Sequence, residues 1–153
     1  MSTRLATGGR LLNKGKQLHF TFNDKRMIGY EGDTLASALL ANDQMIMGRS
    51  FKYHRPRGVV ASGAEEPNAL VNLGVGGKFE PNQRATTTEL FEGLSCTSQN
   101  HWPSLEFDIG AINNLMTRFF PAGFYYKTFM APRAAWKHIF EPIVRQSAGL
   151  GKA

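Results

Sequence analysis

Residues 18–22, Leu-His-Phe-Thr-Phe, alternate large apolar side chains with smaller or polar ones, and a second such run follows at 25–30 after only Asn23-Asp24. Two residues of turn chemistry between two alternating runs predict a β-hairpin, which commits the start of the chain to an antiparallel pair with one buried face. The next residues supply a helix start. Asp33 or Thr34 is placed as N-cap of residues 35–42, where Leu35, Ala38 and Leu39 share one face, and the helix is expected to end near Asn42-Asp43.

Beyond the helix, residues 45–53 are read as a third strand, stopped by His54-Arg-Pro-Arg-Gly58, because Pro56 cannot donate in a ladder and Gly58 permits a turn. A long loop over 59–68 is expected, then short strands at 69–73 and 86–91 either side of a loop containing Gly74, Gly76, Gly77 and Pro81. The order β-β-α-β-loop-β-loop-β predicts an α+β roll of the β-grasp kind, a mixed sheet packed by one main helix. From residue 94 the alternation fades and prolines recur at 103, 121, 132 and 142. A helix is expected over 109–120, and Trp136, Ile139, Phe140 and Ile143 make an amphipathic pattern that Pro142 must kink or split. The domain plan is therefore an extended tail over 1–16, the β-grasp over 17–93, and a mostly helical or irregular arm over 94–153. Phe124, Tyr125, Tyr126, Phe129 and Trp136 make that arm too aromatic for a solvated linker, so it is expected to lie against another surface.

Composition narrows the function classes. Seventeen aromatic residues among 153 are enough for a packed core, and one cysteine, Cys96, excludes a disulfide framework, a zinc site of several thiolates and an iron–sulfur cluster held by this chain's own thiolates. With no run near the roughly 18 apolar residues of a membrane span and no secretory signal pattern, a soluble cytoplasmic protein without membrane partners is expected. The net charge of +6 is regional: residues 1–57 hold ten Lys/Arg against four Asp/Glu, and the remainder is balanced.

Few residues carry a catalytic reading. Gly74-Val-Gly-Gly-Lys78 lacks the first glycine and the Ser/Thr of a phosphate loop, with Asn72 and Phe79 in those places. His19, His54, His101 and His138 are too scattered to pair on a helical face, Cys96 is read as a buried inert thiol, and Glu65-Glu66 as a solvated loop. The chemically richest stretch is Arg49-Ser-Phe-Lys-Tyr-His-Arg-Pro-Arg57, whose Arg49, Phe51, Lys52, Tyr53, Arg55 and Arg57 would suit a basic rim that holds a partner subunit or an anionic group. It does not meet the spacing of an RNA-recognition strand, so a small basic nucleic-acid-binding domain is only an alternative and nucleic acid is not the expected partner.

Four blocks occurring in order, Gly32-Asp-Thr-Leu-Ala-Ser-Ala-Leu-Leu-Ala-Asn42, Arg49-Ser-Phe-Lys-Tyr-His-Arg-Pro-Arg-Gly58, Glu65-Glu-Pro-Asn-Ala69 and Pro121-Ala-Gly-Phe-Tyr-Tyr-Lys-Thr-Phe-Met130, resemble the N-terminal region of the α subunit of heterotetrameric sarcosine oxidases. The resemblance covers nearly the whole chain. It implies a fold like a plant-type [2Fe-2S] ferredoxin, followed by a dinucleotide-binding domain that would begin just past residue 153, as though the chain were a fragment, a truncated gene product or a separately encoded piece. It also implies that relatives with a cluster carry C-x4-C-x2-C after the Arg-Pro-Arg-Gly turn. That spacing falls here on Ala61, Glu66 and Ala69, with the fourth position at Thr86, so a vestigial site with no cofactor in this chain is expected.

For the complete complex the resemblance implies FAD, FMN, NAD and tetrahydrofolate, with the dinucleotide-binding domain and the other sarcosine oxidase-type subunits as partners. The expected role is a non-catalytic assembly module, with no catalytic or metal-binding residue in this stretch, of a flavoenzyme that demethylates sarcosine to glycine with hydrogen peroxide, the one-carbon unit passing to formaldehyde or tetrahydrofolate. A piece of a related amine-, opine- or glycine-oxidising dehydrogenase is the other alternative. The candidate contact surfaces are the strip 49–57 and the aromatic arm.

Overall fold

In the computed structural model, residues 3–115 and 133–147 are described. Strands β1 (Asn13–Phe22) and β2 (Lys25–Glu31) form the expected antiparallel hairpin, with Phe22 opposite Lys25. Asn23 and Asp24 both take positive φ, 47° and 64°. This is the left-handed pair of a type I′ turn, whose twist matches that of the strands it joins. Leu18, Phe20 and Phe22 alternate into the core. The strand begins at Asn13, inside the expected tail, and the residues before it are also tied down: Thr3 N donates to Ala41 O at 3.0 Å and Arg4 pairs with Asp33.

Helix α1 (Leu35–Ala41) has Thr34 as its N-cap. Thr34 Oγ1 accepts from Ser37 N at 3.2 Å and Ser37 Oγ accepts from Thr34 N at 3.0 Å, a reciprocal box that satisfies two donors the helix cannot pair itself. Leu35, Ala36, Ala38, Leu39 and Ala41 are buried. Burying each leucine contributes about 2 kcal/mol. The helix lies close to the sheet because β2 carries Gly29: a Cβ there would stand 3.1 Å from the Ala38 methyl and 2.2 Å from Leu90 Cδ2.

Three strand expectations change. Residues 45–53 yield only the two-residue β3 (Gly48–Arg49), paired with β4 (Pro56–Arg57) in a separate small sheet. The chain turns back after Arg49 because Ser50 N donates to Arg55 O and His54 N to Ser50 O, with His54 at φ 53°. Phe51 and Tyr53 therefore sit in a turn and not on one strand face.

The segment 86–91 is not a strand of the sheet. Its backbone and that of Ala85 serve α1: Leu35 N donates to Thr88 O and Ala36 N to Ala85 O, both at 2.8 Å, and Leu90 N donates to Asp33 O. Orphan amides at a helix start attract carbonyls in this way. The strand falls earlier, at β6 (Glu80–Arg84), paired with β5 (Leu70–Leu73). Pro81 is tolerated there because β6 is an edge.

Finally, β7 (Ser95–Thr97) lies past the expected boundary at 93, in the middle of the sheet. The order is β2-β1-β7-β5-β6, with β7 parallel to β1 and antiparallel to β5. This is the mixed α+β sheet with one packed helix that was expected, and it takes Cys96 and the buried Leu105 from the expected arm.

Residues 109–120 were expected as a helix. The described part is a 3-10 turn, Ile109–Asn114, started by Asp108, which accepts from Gly110 N. Farther on, Arg133–Ala135 is α-helical, Trp136–Phe140 forms a π turn and Glu141–Ser147 is α-helical again. Glu141 N donates to Trp136 O. The widened turn sits directly before Pro142, whose ring crowds the preceding turn and which has no N–H to give. Among the described residues no helix is long and apolar enough to cross a membrane.

Candidate functional site

The loop over 59–69, expected to be solvated at Glu66, is organised around that residue. Glu66 is 1% exposed. Its Oε2 accepts from Val60 N at 2.7 Å and Ala61 N at 2.6 Å, and its Oε1 from Asn68 N at 2.7 Å and Ala69 N at 3.1 Å. Burial pushes the carboxyl pKa up, yet the amides of Ala61, Asn68, Val60 and Ala69 together outweigh it and hold the group below its ordinary value. Thr86 Oγ1 donates to Gly63 O at 2.7 Å and closes the loop from outside. The four spaced positions are thus brought together: Ala61 and Ala69 bond Glu66 directly, and Thr86 holds the loop between them.

These side chains do not fit the four-thiolate set of a [2Fe-2S] centre. Cys96 is buried within the sheet, where its Sγ donates to Thr21 O at 3.1 Å, and burial pushes its pKa up to about 12. Such a thiol stays protonated, and the thiolate is the metal-binding form. Among the described residues no group of three or more His, Cys, Asp or Glu could hold a metal ion.

The basic strip divides into an inside and an outside. Arg49, expected on a contact surface, is 8% exposed. Its Nε donates to Leu105 O at 2.8 Å, Nη1 to His54 O at 2.8 Å and Nη2 to Glu106 O at 3.2 Å, and Nε lies 3.6 Å from Asp108 Oδ2. It is an internal clamp joining the 49–57 turn to residues 105–108. The others line an open cleft of about 510 Å³. There Lys52 Nζ and Arg55 Cζ each stand 4.8 Å from the Tyr53 ring centroid, Arg55 Nε donates to Asn114 Oδ1, and Phe51, Arg57 and Asn68 complete the wall.

Asp108, which sequence reasoning passed over, anchors this region. Its Oδ1 accepts from Trp102 N and Gly110 N, and its Oδ2 meets His54 Nδ1 at 2.8 Å. Burial works against the charge, but the Trp102 amide, His54 and the Gly110 amide hold the pKa below the ordinary aspartate value. Nothing in the local sequence pairs residues 49, 54 and 108. His101 Nε2 lies 2.7 Å from Ser98 Oγ, but that hydroxyl is also engaged by Asn23, and His101 Nδ1 has no partner among the described residues.

A further surface went unforeseen. Trp102 (67% exposed), Phe107 (70%), Ile112 and Leu115 present large apolar side chains to solvent within fourteen residues of sequence. Phe124, Tyr125, Tyr126 and Phe129 lie outside the described residues, and Trp136 is half-buried within its helical run.

The sequence is similar to those of known proteins. The family described as 2Fe-2S iron-sulfur cluster binding domain matches residues 15–101. The sarcosine oxidase subunit alpha of Rhizobium meliloti (strain 1021) is 60% identical over 152 residues, covering 99% of this chain and 15% of that protein. The sarcosine oxidase subunit alpha of Corynebacterium sp. (strain U-96) is 37% identical over 94 residues, 60% of this chain and 10% of that one. Among solved structures, L-proline dehydrogenase from P. horikoshii aligns with a TM-score of 0.45 at 25% identity, over 59% of this chain and 17% of that one. The chain spans 15% or less of the length of these two sarcosine oxidase subunits. The family match corrects one expectation, that this chain has no cofactor of its own: the cofactor attached to this region by the match is an iron–sulfur cluster. The side chains at 61, 66, 69 and 86 are not thiols, and they support no chemical step through such a cluster.

Proposed function

The chain belongs to the 2Fe-2S iron-sulfur cluster binding domain family, and from that premise we propose that it is the N-terminal β-grasp module of a sarcosine oxidase-type α subunit, serving the assembly of an amine-oxidising flavoenzyme. The observation that carries this reading is the 60% identity along 99% of the chain, which runs well beyond the family-matched residues and includes the aromatic arm. The complete enzyme would demethylate sarcosine oxidatively to glycine, with hydrogen peroxide and a one-carbon unit as further products. This chain's contribution is positional. Its polar groups at Glu66, Asp108 and Arg49 are spent on the chain's own backbone, which leaves the exposed row from Trp102 to Leu115 and the cleft at Lys52, Tyr53 and Arg55 to meet a dinucleotide-binding domain and neighbouring subunits.

Charge supports a protein partner over nucleic acid, because the strip loses Arg49 to the interior and a nucleic-acid face needs a broad set of free cations. A cytoplasmic location accords with this role. The test is co-purification of the tagged chain from its native cell extract, with mass spectrometry and an absorption spectrum of the eluate. Larger flavoprotein subunits together with flavin absorbance are expected. A colourless eluate, alone or with nucleic acid, would overturn the proposal.

A further inference from the structure

Four backbone amides aimed at one point make a concavity that favours negative charge, since each N–H carries a partial positive end and none has another acceptor nearby. In the loop over 59–69 the amides of Val60, Ala61, Asn68 and Ala69 all converge, and the charge that meets them is the chain's own Glu66 carboxylate. We propose that this loop is an anion-binding nest with a built-in occupant, and that, once Glu66 is cut back, the nest takes a small carboxylate from solution.

The division of the bonds makes the proposal specific. Each carboxylate oxygen receives two amides, Oε2 those of Val60 and Ala61 and Oε1 those of Asn68 and Ala69. A glutamine could satisfy one pair with its oxygen but would turn an NH2 group, itself a donor, toward the other pair. An alanine leaves vacant a CH2–COO⁻ group, which is acetate in size and charge. The loop is also tied by Glu66 N to Gly63 O at 3.3 Å, Thr86 Oγ1 to Gly63 O and Ala85 N to Ala69 O at 2.9 Å. Four of the loop's hydrogen bonds nevertheless end on one carboxylate, at the place where positions 61, 66 and 69 meet. The nest is a property of this chain alone, whatever enzyme the chain belongs to.

The experiment compares thermal unfolding midpoints of wild type, Glu66→Ala and Glu66→Gln in the full chain, in sodium acetate, sodium chloride and acetamide, the two salts at equal ionic strength. Acetate should raise the midpoint of Glu66→Ala in a saturable way and leave wild type unmoved, while chloride and acetamide do less, as a ligand bound only by the folded state requires. Glu66→Gln should lower the folding equilibrium by roughly tenfold or more, the loss expected when buried charge-assisted bonds are broken. An equal response of wild type and Glu66→Ala to acetate, or an equal effect of acetamide, would overturn the proposal. Should Glu66→Ala fail to fold in water, refolding into acetate but not acetamide supports the nest. If it refolds in neither, the vacated nest does not take a free carboxylate and the proposal is overturned.

Discussion

Arg4 grips Asp33 with both ends of its guanidinium, Nη1 to Oδ1 at 3.1 Å and Nη2 to Oδ2 at 2.7 Å, and so fastens the start of the chain to the start of α1. The same carboxylate accepts from Tyr30 N and Ser37 Oγ, and its side chain is fully buried. Bidentate pairs of this kind fix geometry as well as charge. Arg4→Ala should therefore destabilise the chain by about 1–2 kcal/mol, and Asp33→Ala, which also strands a backbone amide and a hydroxyl, by about 3 kcal/mol. Urea midpoints at low and high salt are the check; a pair this buried should show little dependence on ionic strength.

Acid should lower the protein's stability in two steps. His101 has its pKa lowered by burial, so below its ordinary value of 6.5 the unfolded chain binds a proton the folded chain resists, and stability falls as pH drops through that range. Glu66 and Asp108 have folded pKa values held below 4.5 and 3.8, so the stability they give is full above those values and is lost as pH falls toward the folded ones. Stability measured against pH should show a shallow decline under 6.5 and a steeper one under 4.5. His101→Gln should remove the first while keeping the second.

The thiol of Cys96 should be silent in the native protein. With its pKa pushed up to about 12 and its sulfur inside the sheet, alkylation by iodoacetamide at pH 8 should be at least a hundredfold slower than in urea, where an ordinary thiol of pKa about 8.5 is partly ionised. Fast native labelling would show that β7 opens readily between β1 and β5.

Surface and interior should separate in the apolar row. Trp102→Ser and Phe107→Ser remove exposed side chains, and stability should change by no more than about 0.5 kcal/mol. Phe124→Ser with Tyr126→Ser in the arm should likewise leave the β-grasp folded. Both pairs should weaken co-purification with the larger subunits, and full retention of the partners would rule out the surface concerned.

Arg49 should tolerate no conservative exchange. A lysine cannot reproduce the fork that reaches Leu105, His54 and Glu106 carbonyls at once, so Arg49→Lys should cost about 2 kcal/mol. Thermal unfolding measures the loss.

The parts of the fold that could be read from sequence are those whose cause is local. Asn23-Asp24 closes a hairpin because two adjacent residues tolerate positive φ, and Thr34 starts a helix because its hydroxyl reaches an amide three residues on. Both bonds close within a few residues, and so both leave a pattern in the string of letters. The buried thiol was foreseen from residue type, since a free cysteine is most often a small buried group.

What only the tertiary structure decided lies across longer separations. Arg49 and Leu105, 56 residues apart, turn an apparent surface cation into an interior clamp. Residues 86–91 are not the expected strand because the carbonyls of Ala85 and Thr88 are needed at the start of α1, and three unremarkable residues, Ser95–Thr97, become a central strand because β1 and β5 leave a place for them. The resemblance to cluster-bearing relatives brought positions 61, 66, 69 and 86 to notice, but the alphabet of residues could not say that a glutamate would turn inward there. A carboxylate enters the interior only where enough donors converge to outweigh its desolvation, and that convergence is a property of the folded backbone.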